Sequence, residues 1–145
     1  MADVVDASPV KPMPERTFDA GSYLAAADHN RLELSECESC GAVFHYPRGL
    51  CPSCAEWTIR PFTASGRGVI YSFTTVHRAP QPAFADDVPY VLALIDTEEG
   101  ARVFARVAAS NPEDVKIGLP VRVTFEAVGE GSSIVVFELD ESVSP

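Results

Sequence analysis

The chain has 145 residues, 46% of them hydrophobic and 22% charged, with a formal net charge of -10 at pH 7. That length suits one ordinary domain or two small modules sharing a core. The acidity argues against generic nucleic-acid binding, which draws its affinity from basic side chains that displace counterions. It is also evenly spread: acids outnumber bases six to three over residues 1–34, three to two over 35–62 and twelve to six over 63–145.

Residues 1–14 carry three prolines and little periodic pattern, and are expected to be a flexible tail. Residues 15–34 form a helical lead-in. Phe18 to His29 is modestly helical, with Ser22 in position to act as N-cap ahead of an alanine run. A helix this short must dock on something to persist in water. Arg31-Leu32-Glu33-Leu34 then alternates like a short strand.

Residues 35–62 hold all four cysteines, spaced Cys37-x2-Cys40-x10-Cys51-x2-Cys54. Each Cys-x-x-Cys pair can fold as a knuckle with backbone amides turned toward the sulfurs. Gly41 follows the first pair, and Pro52 stiffens the second. Four thiolates make a closed tetrahedral site with no open position for water, so one structural Zn2+ is expected. Iron in a rubredoxin-like electron carrier would take the same ligands, and disulfides or an empty reduced site are the remaining options. With every cysteine engaged, none is left as a nucleophile. Trp57 and Phe62 are expected to bury the junction with the following module, and Ala64-Ser65-Gly66-Arg67-Gly68 reads as a small-residue hinge.

Residues 63–145 read as five strands: Val69 to Val76, Tyr90 to Asp96, Arg102 to Val107, Val121 to Glu126 and Ile134 to Leu139. Turn signals separate them, including Glu98-Glu99-Gly100, expected to be a solvated hairpin tip. The predicted class is therefore mainly β: an N-terminal helical segment, a rubredoxin-like zinc ribbon, then a five-stranded OB-fold barrel.

Several side chains are candidates for contact with a ligand or partner. His77 and Arg78 end a strand before a proline-rich loop and could hold a phosphate or a carboxylate, against the plainer reading of a solvated strand end. Residues 79–89, with Phe84 and Asp86-Asp87, form a long ordered loop of the kind that often serves recognition. Tyr46 and Arg48 lie between the knuckles, where packing on the ribbon competes with ligand contact. Arg60 and Arg67 are weaker candidates for a phosphate. No catalytic set is visible.

No apolar run approaches the ~20 residues needed to cross a bilayer. The acidic N-terminus lacks the features of a secretory signal, and a cytoplasmic location is expected.

The order of ribbon, small-residue stretch and barrel carries specific sequences: Cys37-Glu38-Ser39-Cys40-Gly41, Tyr46-Pro47-Arg48, Cys51-Pro52-Ser53-Cys54, Trp57, Tyr71-Ser72-Phe73-Thr74-Thr75-Val76-His77-Arg78 and Pro89-Tyr90-Val91. Over about residues 16–140 this resembles the bacterial and archaeal zinc-ribbon/OB-fold family long labelled a domain of unknown function. The resemblance implies a non-catalytic accessory subunit in a hetero-oligomer with a thiolase-like protein. That partner would supply the catalytic residues for thiolysis, retro-aldol cleavage or acyl transfer on an acyl-CoA. The accessory chain would organise the complex and help complete the site for the CoA thioester, with Tyr46, Arg48, His77, Arg78, Phe84 and Tyr90 as contact candidates. Partnership with an enoyl-CoA hydratase and a single-stranded nucleic-acid-binding protein are the alternatives. Neither nucleic acid nor membrane is an expected partner.

Overall fold

A computed structural model describes residues 9–129 and 131–143. The flexible-tail reading of residues 1–8 lies outside that range. Residues 9–14 have no regular secondary structure and lie beside the barrel, with Lys11 2.5 Å from Asp87.

The lead-in contains one helix, α1 (Gly21–Asp28). Ser22 does not cap it. Ala20 holds the cap position without a side-chain bond, while the Ser22 hydroxyl donates to Glu33 at 2.6 Å. The signal that the sequence reading passed over is at the other end. Asn30, with φ 57, takes the left-handed conformation that ends many helices, and Arg31 N–H returns to the Ala26 carbonyl at 2.9 Å. Leu24, Ala26 and Ala27 are the buried face, docked on the first and last strands. Asp28 completes the attachment: it accepts from the Ser133 backbone N–H at 2.9 Å and from Arg16 at 2.6 Å.

Two sheets follow. Strands β1 (Glu33–Cys37), β2 (Val43–Phe44) and β3 (Ile59–Thr63) form an antiparallel sheet in the order β2-β1-β3. Strands β4 (Arg67–Val76), β5 (Tyr90–Thr97), β6 (Arg102–Ala108), β7 (Pro120–Gly129) and β8 (Ser132–Leu139) close a barrel in the order β4-β5-β6-β8-β7. All pairs in it are antiparallel except β6 with β8. The mainly β prediction and its five barrel strands match this architecture, because strict alternation fixes a face for each strand. In β5 the buried residues are Val91, Ala93, Ile95 and Thr97 in turn.

The two sheets share one core. Leu32 and Leu34 pack in the same cluster as Ile70, Val91, Ile95, Val103, Val121 and Phe137 of the barrel. Phe62 packs against this cluster, but Trp57 does not: its side chain is 75% exposed and lies at the far end of the ribbon. The expectation that Trp57 buries the junction is therefore wrong: Leu32, just before β1, and Leu34 within it fill that space together with Phe62.

The small-residue stretch is pinned rather than hinge-like. Ser65 N–H donates to the Glu99 carboxylate at 2.6 Å, and the Gly66 carbonyl accepts from Val123 N–H at 2.7 Å. Glu99 is thus a tether and not a solvated tip. Burial is the largest single influence and raises its pKa, but the hydrogen bonds from the Ser65 and Glu99 N–H groups and the Ser65 and Thr97 side chains together hold the carboxyl below its ordinary value. Gly68 sits so close to β5 that a Cβ there would come within 2.7 Å of the Asp96 carbonyl oxygen and the Ile95 side chain.

Replacing Gly68 by Ala should cost about 2 kcal/mol, since backbone has to move to make room; urea titration followed by far-UV circular dichroism measures it. Asp28, held below its ordinary pKa chiefly by the Ser133 N–H and then by Arg16, adds stability that is present above the unfolded-state value near 3.8 and lost below it. Asp28→Asn should therefore lower the thermal midpoint at pH 7, with the gap to the natural protein closing as pH falls through 4 to 3.

Candidate metal centre and contact surfaces

The two knuckles are built alike. Gly41 N–H donates to the Cys37 carbonyl at 2.8 Å, and Ala55 N–H to that of Cys51 at 3.0 Å. Cys37 N–H donates to Ala42 and Cys51 N–H to Glu56, both at 2.9 Å. Each turn needs a left-handed residue after its second cysteine: Gly41 at φ 76, and Ala55 at φ 61. For alanine that conformation costs about 1 kcal/mol, so the second knuckle keeps a strained residue where the first has glycine.

The result is a tetrahedral set of sulfurs. The four Sγ atoms lie within 4.8 Å of one another, with Cys37–Cys54 at 3.6 Å and Cys40–Cys51 at 3.7 Å. Ligands at a Zn–S distance of about 2.3 Å stand about 3.8 Å apart in a regular tetrahedron. The spacing is far too long for S–S bonds, and the residues present fit a metal ion. Amide dipoles favour thiolate here: the N–H of Cys40 leads in pulling the Cys37 thiol down to about 6. Cys54 also receives an N–H, from Glu56, yet burial and the other three sulfurs push it up to about 12. Four such groups ionise together only when a cation offsets their repulsion. Cys37 and Cys51 are buried, while Cys40 and Cys54 are exposed.

Beside the sulfurs, the loop between the knuckles turns large side chains outward. Tyr46, at φ 73, is 65% exposed, and Leu50 and Arg48 are exposed with it. Trp57 spreads along the backbone of Gly49, where a Cβ would touch its ring at 3.6 Å, and Asp19 approaches the same glycine. Phe18, one residue earlier, is fully exposed. Tyr46 rests on His45 with ring centres 5.3 Å apart, and His45 rests on Tyr23 at 5.2 Å. Burial pulls the His45 pKa down to about 4, so the ring is neutral at pH 7, and its Nε2 has no partner among the described residues. Sequence reasoning missed His45, which sits in an alternating Val43-Phe44-His45-Tyr46 run; such a run reads as strand, not as a side-chain stack.

The remaining candidates lie elsewhere. His77 and Arg78 are exposed where β4 ends. Phe84, in a 3-10 turn, and Tyr90, at the start of β5, face a barrel groove roofed by residues 11–14. Arg60 is spoken for, pairing with Glu36 and, at 3.8 Å, with Glu38. Six contact candidates thus fall on three surfaces: Tyr46 and Arg48 on the ribbon, His77 and Arg78 at a barrel rim, and Phe84 and Tyr90 in the groove. Among the described residues, no helix is long and apolar enough to cross a membrane.

A closed cysteine site on a ribbon joined to an OB barrel defines a class of protein, and comparison with known proteins supplies the family. Residues 24–57 match the "ChsH2, rubredoxin-like zinc ribbon domain" and residues 63–126 the "ChsH2, C-terminal OB-fold domain". The chain belongs to this zinc-ribbon/OB-fold family, the DUF35 scaffold proteins. It is 39% identical over 95 residues, 65% of its length and 67% of the relative's, to a "DUF35 domain-containing scaffold protein" of Methanocaldococcus jannaschii. A "Probable enoyl-CoA hydratase alpha subunit" of Thermomonospora curvata is 33% identical over 112 residues, which are 77% of this chain but 34% of that relative. Among solved structures, a chain of the "Ltp2-ChsH2(DUF35) aldolase" superposes with a TM-score of 0.77 at 30% identity, over 88% of this chain and 98% of that one.

Gly41→Ala should destabilise the ribbon by about 1 kcal/mol, and Ala55→Gly should stabilise it by about 0.5 kcal/mol, the relief of strain being partly offset by chain entropy. Urea titration of the metal-loaded protein checks the two signs.

Proposed function

We propose that this chain is a non-catalytic accessory subunit of an acyl-CoA enzyme complex, seated on a thiolase-like protein that carries the reactive cysteine. The observation that carries this reading is the set of large exposed side chains, Tyr46, Leu50 and Trp57, on a ribbon whose cysteines are all gathered in one cluster, with Phe18 of the lead-in exposed as well. Exposed aromatic side chains on a rigid support are what protein interfaces bury. Cys37, Cys40, Cys51 and Cys54 would hold one Zn2+, which supplies folding free energy to the ribbon and no chemistry to substrate. Arg48, His77 and Arg78 are exposed, and in this reading their cationic or polar side chains would meet an anionic group such as a CoA phosphate. The relative named a scaffold protein and the aldolase-complex neighbour support this view.

A second reading keeps acyl-CoA metabolism and changes the partner. The relative named an enoyl-CoA hydratase alpha subunit favours a hydratase in the same role.

Affinity capture of the tagged chain from its host, with mass spectrometry of what accompanies it, tests both. A near-stoichiometric thiolase-superfamily protein is expected; a hydratase selects the second reading, and nucleic acid or no partner overturns both. The double variant Tyr46→Ala, Trp57→Ala should lose the partner at least tenfold while metal analysis still finds about one zinc per chain.

A further inference from the structure

The groove of Phe84 and Tyr90 lies where OB barrels take their ligands. In that fold the second and third strands and the loops after the first and fourth strands form the binding face. Here those are β5, β6, the 77–89 loop and the β7–β8 turn. A cavity of about 440 Å3 occupies this face, walled by Phe84, Tyr90, Leu92, Arg106, Val128 and Ile134. Residues 11–14 form its roof.

That roof is held lightly. Lys11 pairs with Asp87 at 2.5 Å and stands 5.6 Å over the Phe84 ring, and the Met13 thioether lies against Gly129. Among the described residues, 9–14 make no backbone hydrogen bond to the barrel, and Lys11 and Met13 are exposed. An ion pair of this kind contributes little in water. The segment is Pro9-Val10-Lys11-Pro12-Met13-Pro14, whose prolines fix an extended form at low entropic cost. The space beside it is larger than its own side chains fill.

We propose that this groove is a docking site for an extended, proline-spaced, basic segment of a protein partner, and that residues 9–14 hold its place within the chain. Asp87 and the Phe84 face receive the cation; Tyr90, Leu92, Val128 and Ile134 receive the apolar side chains that follow. A partner segment with bulkier residues than Met13 fills the spare volume and displaces the strap. This surface is separate from the ribbon aromatics, and its test does not depend on which enzyme the chain joins.

The test uses the full chain, 15N-labelled, beside its double variant Lys11→Glu, Met13→Ser; both positions are exposed, so folding is not at stake. The probe is a synthetic peptide of residues 9–16. In the variant, the amide signals of Phe84, Asp87, Tyr90, Leu92 and Val128 should shift, while signals of the ribbon stay in place. Added peptide should return the groove signals toward their natural positions, and the natural chain should need on the order of tenfold more peptide for the same change, because its strap competes at high effective concentration. A peptide with glutamate in place of the lysine should bind several-fold more weakly, since it replaces attraction to Asp87 by repulsion. Adding Asp87→Lys to the variant should restore the strap. Groove signals that coincide in the two chains, a peptide that moves neither, or one that moves both at equal concentration would each overturn the proposal.

Discussion

Everything in this molecule hangs on one short strand. β1 begins beside Leu32, carries Leu34 into the barrel core and ends at Cys37 in the sulfur cluster. Its backbone is paired on both edges, with β2 and with β3. The orientation of the ribbon on the barrel is therefore set by two buried leucines, while the strand's far end is fixed by coordination geometry. A burial worth roughly 1.5–3 kcal/mol per leucine anchors one end, and the four-cysteine cluster, which fits a metal ion, holds the other. Between them there is no slack, which is why the stretch that looks like a hinge is closed by Glu99 and Val123.

This arrangement separates duties by chemistry. Apolar side chains that build the fold face the shared core. Large side chains on the ribbon face outward, because a small unit gathered around four cysteines has little interior to hide them in. The ribbon thus spends its aromatic residues on its surface, a pattern that would be a liability in a lone monomer and suits a subunit of something larger.

Much of this was legible in the sequence. Period-2 alternation placed the five barrel strands, and two Cys-x-x-Cys pairs at a ten-residue separation placed the cluster. The misses share a physical cause. Tryptophan is usually buried, which on sequence alone points Trp57 toward the junction; in a ribbon with almost no interior that average does not apply. Ser22 looks like a cap from its neighbours alone, yet a glutamate eleven residues away claims its hydroxyl. Glycine and alanine between modules suggest freedom, but small residues also permit close approach, and at Gly68 closeness is what the fold requires. Lys11 carries no local signal because Asp87 and Phe84, which give it meaning, are more than seventy residues distant.

The barrel's strand order has a consequence for how the chain matures. β8, the last strand made, lies between β6 and β7, and it brings Phe137 to the middle of the core. During synthesis the ribbon emerges whole, from β1 through β3, and its contacts are local in sequence. Leu32 and Leu34 must then wait, uncovered, while some seventy further residues are translated before closure can occur. The finished ribbon is thus a fixed landmark on a growing chain whose other half has no interior until its final strand arrives. Shielding of those two leucines in the interval bears on the stage at which the chain exposes apolar surface that its own barrel later covers.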